Sequence, residues 1–369
     1  GKQNLSAFGL SENFLSNEED DEQSDSSGFT SVNSSLQLNT SWEIDLWGKL
    51  KDNQNASYHS MKSDIYDIEY AKISLKSQFL KLYINAVELK YNIKISEKNL
   101  DNLLAIKTIS EKRLLNGLSE PDEIHIASAN YHLYESNLIS LRYQYENLKK
   151  TIDLLLGAYL KNNDDIEYDY PLSIQPISYD ISSNLLQRRL DIISSKEEIL
   201  SANSKLKSDK KIFFPSVMLN TSAGYSSSDF NNLINQDFSV WNAGVSVLYP
   251  IFQGGKIKNN IRISEYSLSV SEIKYIQTVI NAIYESDDIL NRDNNYQKAY
   301  RKIGESRQDM EKAVSYAVKS YELGLVDLMY LLNVQQQLYN IAINENVILS
   351  EMYENRINLI LSLGGNLEY

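Results

Sequence analysis

The sequence predicts a mixed α and β protein in which long helical hairpins alternate with pairs of β-strands. Three observations lead to this prediction. Two long stretches carry apolar residues at three- and four-residue spacing, and shorter segments alternate apolar with polar residues. The same order of strands and helices then occurs twice along the 369 residues. We interpret this order as an internal duplication whose unit is well above solenoid size.

The clearest predicted strand lies within residues 29–47. Its apolar residues share one parity: Val32, Leu36, Leu38, Trp42, Ile44 and Leu46. The residues between them are mostly polar, and alternation with a period of two is typical of a strand with two different faces. The same alternation marks residues 216–225 and 240–252, whereas residues 4–15 form a fourth predicted strand with poor alternation.

The first long helical stretch covers about residues 49–115 and contains no proline. Its apolar residues recur at three- and four-residue spacing: Ile65, Ile68, Leu75, Phe79, Leu82, Ala86, Leu89, Ile93, Leu100, Leu103 and Leu114. This pattern indicates a coiled-coil seam, and a helix of this length extends roughly 100 Å. The pattern resumes after Pro121 and continues to Leu155. Residues 116–121 supply the glycine and proline of a tight turn between the two helices.

The second half of the chain repeats this arrangement. A helical stretch covers about residues 256–322, residues 322–327 turn the chain, and the returning helix ends before Gly364 and Gly365. The predicted organisation is a strand pair at 1–48, a helical hairpin at 49–156, an irregular segment at 157–181, a helix at 182–212, a second strand pair at 213–253, a second hairpin at 254–363 and a C-terminal end at 364–369.

Composition argues against several classes of function. The chain has 49 acidic and 36 basic residues and a net charge of -13, whereas nucleic-acid binding needs a basic face. It has no cysteine, which excludes a disulfide scaffold and thiol catalysis. No run of 18 apolar residues occurs, so we predict no transmembrane helix.

The sequence offers no candidate catalytic, cofactor-binding or metal site. His125 and His132 are two of only three histidines, and they lie seven residues apart, too far along a helix to hold one metal ion. A phosphate-binding loop, a nucleophile elbow and a cysteine and histidine cluster are all absent from the sequence. We therefore predict that the protein is not an enzyme and binds no cofactor.

The tryptophans and one acidic stretch are the candidate membrane-contacting features of the sequence, and the acidic stretch has two possible interpretations. Trp42, Trp47 and Trp241 all fall in predicted strands, as expected for aromatic residues at a membrane interface. Most of the 26 tyrosines fall in helices, where packing is the simpler use. The acidic stretch 17–28 is either a solvated loop or a loop near anionic lipid headgroups bridged by divalent cations.

Several segments resemble one family of membrane proteins. They are SWEIDLWGKLKDN (41–53), RLLNGLSEP (113–121), the helix and strand at 185–225, LYPIFQGGKIKNNI (248–261) and SYELGLVDLMYLLNVQQQLY (320–339). In this order they are similar to the TolC-like outer-membrane efflux family, the outer membrane factors of tripartite efflux pumps. The matching segments are distributed over nearly the whole chain, from residue 41 to residue 339.

The resemblance implies a homotrimer in the outer membrane of a Gram-negative-type bacterium, in contact with outer-membrane lipid. Each protomer is expected to give four strands to a 12-stranded β-barrel and long coiled-coil hairpins to a periplasmic α-barrel. Closure by several copies also follows from physics, because an open four-stranded sheet leaves unpaired edges in lipid. Most members begin with a further helix before the first strand, so the resemblance also implies an N-terminal truncation.

The resemblance further implies a passive exit duct that works with a periplasmic adaptor and, indirectly, with an inner-membrane pump. Gly117, Leu118, Gly324 and Leu325 are the expected adaptor-docking residues at the two hairpin tips. The alternative is a non-channel structural or adhesive coiled-coil protein of the cell envelope. The alternating strands favour the channel.

The periplasmic gate is expected just after the second tip. Members often carry aspartates there, whereas this chain has Asn333 at such a position and Tyr330 one turn before it. We therefore expect a gate of amide and aromatic contacts from these two residues, with Asp327 and Tyr321 as partners at the tip.

Overall fold

The computed structural model describes residues 3–7, 34–157, 169–170, 188–229, 234–235, 237 and 239–362. Within these ranges the protein is mostly helical and contains one small antiparallel sheet, as the sequence predicts. The acidic stretch 17–28, most of the irregular segment 157–181 and the C-terminal end 364–369 lie outside the described residues.

Four strands form the sheet: β1 (Gln3–Ala7), β2 (Ser34–Ile44), β3 (Ser216–Ser227) and β4 (Ser239–Leu248). They lie in the order β1-β2-β3-β4, and every neighbouring pair is antiparallel. Among the described residues β1 pairs only with β2 and β4 only with β3, so a single chain leaves both edges of the sheet open.

The register gives the sheet one apolar face and one polar face. Trp42 pairs with Leu219, which pairs with Val245, and this row lies on the apolar face. On the polar face the Ser41 hydroxyl donates to Asn220 Oδ1 at 2.8 Å. Because successive side chains of a strand point to opposite faces, the alternation in the sequence produces these two surfaces directly.

Five α-helices accompany the sheet: α1 (Lys49–Leu115), α2 (Pro121–Leu155), α3 (Leu190–Lys210), α4 (Lys256–Glu322) and α5 (Leu328–Ser362). A short 3-10 helix, Lys211–Phe213, follows α3. None of the helices in the described ranges is sufficiently long and apolar to span a membrane.

Two strands end earlier than the sequence predicts. The strand predicted within residues 29–47 corresponds to β2, which ends at Ile44. The next residue, Asp45, accepts the backbone N–H groups of Leu50 and Lys51 through its carboxylate, at 3.0 and 2.8 Å. Asp45 thereby satisfies donors that the first turn of α1 leaves free. β4 ends at Leu248 rather than beyond residue 250, where Pro250 has no N–H for a ladder.

The chain divides into two compact units. The sheet unit comprises Gly1–Asp64 and Ser194–Ile276, and the tip unit comprises Ile65–Ile193 and Gln277–Tyr369. The main core of the tip unit is a cluster of buried side chains from four helices: Leu100, Leu103, Ile106, Ala127, Tyr134, Leu138, Ala317, Tyr321, Leu328, Leu331, Leu332 and Val334. This core positions both hairpin turns.

Candidate functional site at the hairpin tips

The first hairpin turns through a glycine in the left-handed conformation. Gly117 has φ 69°, and its N–H donates to Leu114 O at 2.9 Å. The Leu118 N–H donates to Arg113 O at 2.8 Å. This pair of bonds is the Schellman motif, which satisfies the last carbonyls of a helix and favours glycine at the left-handed position.

The second hairpin ends its first helix with the same motif. Gly324 has φ 74°, its N–H donates to Tyr321 O at 3.0 Å, and the Leu325 N–H donates to Ser320 O at 2.8 Å. The two turns therefore place Leu118 and Leu325 at equivalent positions, one residue after the glycine.

Both of these leucines are exposed. Leu118 keeps 62% and Leu325 72% of its surface accessible. Further exposed apolar side chains lie beside them: Leu115, Leu323, Met329 and Tyr330. Apolar side chains grouped on a surface in this way indicate a contact with another molecule.

Arg113 connects the two tips. Its guanidinium donates through Nη1 to Tyr321 O in the second hairpin and through Nη2 to Leu118 O in the first, the latter at 3.0 Å. Its Cζ also lies 4.6 Å from the centre of the Tyr321 ring, a cation–π distance. Through this one side chain, the turn of each hairpin is tied to the other.

Tyr321 is fully buried at the same place and adds a second link between the hairpins. Its hydroxyl donates to Glu123 Oε2 at 2.7 Å and lies 2.9 Å from Ser110 Oγ. Burial and the bond to Glu123 raise the pKa of Tyr321 to about 12. The hydroxyl is therefore protonated at any physiological pH, and Glu123 has a permanent donor.

The remaining predicted gate residues lie at the start of α5. Asp327 precedes the helix, and its Oδ1 accepts the Tyr330 N–H at 2.7 Å, so it acts as an N-cap. Tyr330 and Asn333 are exposed on the described chain, and Asn333 Oδ1 accepts a bond from Gln337 at 3.3 Å. Their part in a gate stays a prediction.

The predicted membrane-interface tryptophans lie in the sheet unit. Trp42 and Trp241 are exposed on the apolar face of the sheet, in rows four residues apart. Trp47 lies beyond the end of β2, where it stacks on Phe214 with ring centroids 5.1 Å apart.

Sequence reasoning missed the residues that join the two tips, Arg113, Glu123 and Ser110. Each is distant in sequence from Tyr321, and its spacing along the chain does not indicate a contact with that residue. The one available signal was a basic residue in the last turn of α1, which is common because cations satisfy terminal carbonyls. That signal does not indicate that the carbonyl belongs to the other hairpin.

The structure brings no metal-ligand set together in the part of the chain that it describes. His125 and His132 are exposed on α2, and His132 Nδ1 lies 3.2 Å from Glu135 Oε2. An exposed pair of this kind contributes little to stability.

The chain matches the outer membrane efflux protein family over residues 4–158 and 181–365. Among curated relatives, the cation efflux system protein CusC of Escherichia coli strain K12 is 25% identical over 333 residues, which are 89% of this chain and 72% of CusC. The pyoverdine export outer membrane protein OpmQ of Pseudomonas putida is 22% identical over 341 residues, 92% of this chain and 72% of OpmQ.

Solved structures share the fold over almost the entire chain. The CmeC outer membrane channel of Campylobacter jejuni superposes with a TM-score of 0.84 at 25% identity, covering 99% of this chain and 77% of CmeC. The outer membrane protein VceC of Vibrio cholerae gives a TM-score of 0.87 at 21% identity, covering 100% of this chain and 87% of VceC. With its strand pairs, its paired hairpins and this match, the chain belongs to the outer membrane efflux protein family.

Proposed function

We propose that three copies of this chain form a passive exit duct through the outer membrane of a Gram-negative-type bacterium. The observation that carries this proposal is the four-stranded sheet, which has one apolar face, one polar face and two open edges within the described residues. In a bilayer, unpaired strand edges are unfavourable, so copies of the sheet are expected to close into a barrel. Three copies give a 12-stranded barrel, an even number typical of such proteins.

The mass of the detergent-extracted protein tests this assembly. Three chains per particle are expected, together with a circular dichroism spectrum in which helix dominates and strand contributes. A stable monomer, or a dimer without strand signal, supports instead a structural or adhesive coiled-coil protein.

We also propose that the two tips dock a periplasmic adaptor protein, through which the duct meets an inner-membrane pump. Support comes from the equivalent exposed positions of Leu118 and Leu325. A carboxylate introduced into such an apolar contact would have to lose its water, and the cost of this desolvation is expected to break the contact.

Substitution of both leucines tests the docking. Leu118→Glu with Leu325→Glu is expected to abolish export while trimers still reach the outer membrane. The matched control, Leu118→Met with Leu325→Met, keeps apolar side chains of similar volume and is expected to export normally. Normal export by the glutamate variant refutes the docking surface.

The gate is proposed to close by amide and aromatic contacts from Asn333 and Tyr330 around the threefold axis. Three carboxylates there would attract cations, since two charges 4 Å apart interact by about 4 kcal/mol at an effective dielectric near 20. Three amides carry no net charge and do not attract cations in this way. Within each chain, the Arg113 and Tyr321 contacts hold the second tip against the first.

Single-channel recording with divalent cations on the periplasmic side tests the gate chemistry. The unmodified protein is expected to show weak block, and Asn333→Asp is expected to create strong block. Asn137→Asp, at an exposed position of α2, is the control for the added charge. Strong block that is already present and unchanged by Asn333→Asp indicates another constriction, with Asp327 as the candidate.

The cargo is proposed to be chosen by the pump rather than by this chain. Relatives of similar identity are named for cation efflux, pyoverdine export and solvent efflux. The same duct architecture therefore accompanies chemically different cargoes.

A further inference from the structure

A basic surface lies where the strands meet the helices in the sheet unit. Residues 45–52, 205–211 and 256–262 carry nine basic and three acidic side chains, whereas the whole chain has 36 basic and 49 acidic ones. The charge of this region is thus opposite in sign to that of the chain.

Side-chain contacts bring these three segments together. The Ser208 hydroxyl near the end of α3 donates to Lys49 O at the start of α1, at 2.9 Å. In the first turns of α4, the Ser264 hydroxyl donates to the buried Asp209 carboxylate of α3 at 2.6 Å. The basic residues of the three helices therefore belong to one surface, which we call the junction patch.

Only some of these cations are used inside the protein. Lys49 pairs with Glu43 at 2.5 Å, and Lys211 pairs with Asp52 at 2.6 Å. Five others are exposed and form no ion pair within the described residues: Lys51, Lys207, Lys256, Lys258 and Arg262. Their charges are available to a ligand.

The lysines of α4 do not serve the stability of that helix. Lys256 and Lys258 lie in its first turn, which contains no acidic residue. The start of a helix carries partial positive charge, so cations there are unfavourable. A bound anion at this position would offset the unfavourable charge.

Apolar groups border the same surface. Trp47 stacks on Phe214 and donates its Nε1–H to Pro215 O at 2.8 Å, while keeping about half of its surface accessible. Ile251 and Phe252, just before α4, are almost fully exposed. A cavity of about 160 Å³ lies among these elements. Its lining includes the rings of Trp47 and Phe214, the basic Lys49 and Lys211 and the acidic Glu43 and Asp45.

We propose that the junction patch binds the headgroups of anionic phospholipids at the periplasmic border of the membrane. Amphipathic aromatic rings favour the headgroup level of a bilayer, and lysines near an anionic bilayer surface bind it electrostatically. The patch combines both features at the end of the strands. This inference rests on the proposed function, because it requires the strands to lie in a bilayer.

Quenching of Trp47 by brominated lipids tests the proposal in reconstituted trimers. Trp42→Phe with Trp241→Phe leaves Trp47 as the single tryptophan, since the chain has three. Brominated phosphatidylglycerol is expected to quench Trp47 more than an equal fraction of brominated phosphatidylcholine at low salt. About 1 M salt, where the Debye length is about 3 Å, is expected to remove the difference.

Charge removal identifies the side chains that bind the lipid. Lys51→Gln, Lys256→Gln and Lys258→Gln together are expected to weaken the preference for phosphatidylglycerol by about fivefold for each lysine. The matched control removes three exposed lysines of the tip unit, by Lys112→Gln, Lys298→Gln and Lys319→Gln, and is expected to keep the preference.

Three outcomes overturn the proposal, and they are distinguishable. Equal quenching of Trp47 by both lipids, in the protein that keeps all its lysines, shows that Trp47 contacts the bilayer without selectivity for anionic lipid. Loss of the preference on addition of inorganic phosphate, at constant ionic strength, shows a site for the free anion. Absence of quenching by either lipid shows that Trp47 is not at a bilayer, which contradicts the proposed function as well.

Discussion

The two helical hairpins have helices of equal length, but their returning helices, α2 and α5, differ strongly in burial. α1 and α4 have 67 residues each, α2 and α5 have 35 each, and both connections contain five residues. Yet α2 buries only Ala127, Tyr134, Leu138 and Ile152, whereas α5 buries twelve residues. Two helices of equal length therefore lie in two different packing environments.

Polar contacts account for much of the difference. Gln335 of α5 donates through Nε2 to Asn99 Oδ1 at 2.8 Å, and Asn355 donates to Ile289 O at 2.9 Å. All four buried residues of α2 are apolar or aromatic. In addition, α2 leaves apolar side chains exposed: Leu133, Ile139, Tyr143 and Leu154.

Hairpin length and turn are local properties, whereas burial also depends on the tertiary partners of each helix. The polar bonds of α5 favour one alignment with its neighbours, because a shift breaks these bonds inside the protein. The exposed apolar face of α2 has no such partner within the described residues and is available to another copy of the chain.

The largest expected difference between the hairpins concerns their ion pairs. Asp293 is 1% exposed, and Arg356 of α5 lies 3.0 Å from it through Nε. Arg356→Met leaves the buried Asp293 carboxylate with a neutral donor, the Gln297 amide, but without its opposite charge. This loss is expected to cost about 3–5 kcal/mol in the free energy of unfolding. Denaturant unfolding of the detergent-extracted protein, followed by circular dichroism, measures this loss.

The control for this substitution is an exposed pair in the first hairpin. Arg142 Nη2 lies 2.7 Å from Glu97 Oε1, with both side chains about half exposed. Arg142→Met is expected to cost less than about 1 kcal/mol, because water solvates both charges. Equal losses at the two sites contradict the difference in burial.

A smaller difference is expected for the buried amides. Gln335→Leu removes the donor to Asn99 Oδ1 and is expected to lower the free energy of unfolding by about 1–3 kcal/mol. Gln144→Leu, at an exposed position of α2, is expected to change it by less than about 0.5 kcal/mol. Replacing both Asn99 and Gln335 by Leu is expected to recover part of the loss. If the effects of the Asn99 and Gln335 substitutions on the free energy of unfolding simply add, the two amides do not interact and the prediction is wrong.

The smallest expected effect is a pH dependence in α5. Burial raises the pKa of Glu345, although Arg307 Nε lies 2.9 Å from its carboxylate. Because the pKa of Glu345 is higher in the folded than in the unfolded protein, protonation of this residue stabilises the fold. This stabilisation is complete below the pKa of the unfolded chain, about 4.3, and is lost as the pH rises through the pKa of the folded protein.

Glu345→Gln removes this dependence. The difference in melting temperature between unmodified and substituted protein is therefore expected to favour the unmodified protein more at acidic than at neutral pH. Melting followed by circular dichroism across that range measures it, with Glu305→Gln, at an exposed position, as control. A difference that is constant with pH argues that Glu345 is not desolvated.

Much of the fold could be predicted because its signals are local. Apolar spacing without proline marks α1, and Gly117 and Gly324 mark the two turns, since few other residues adopt their backbone conformation. Strand ends were less predictable. Alternation continues past Ile44, but Asp45 finds backbone N–H groups of α1, a contact that no pattern within the strand indicates.

The candidate site could be predicted only in part. Exposed Leu118 and Leu325 follow from their place after the turn glycines. Tyr321 was placed with the gate residues, but its burial against Arg113 and its bond to Glu123 depend on contacts between the hairpins. Such contacts between distant segments leave no periodicity in the sequence.

Single-channel conductance distinguishes the proposed trimeric duct, closed at rest by contacts between the tips, from a protein that forms no channel. Reconstituted trimers of the unmodified protein are expected to show a small resting conductance. Tyr321→Phe removes the hydroxyl that binds Glu123 and is expected to raise that conductance severalfold, whereas Tyr316→Phe, on an exposed part of α4, is expected to leave it unchanged. Inserted trimers that carry no current at any voltage, with or without Tyr321→Phe, would contradict the proposed duct.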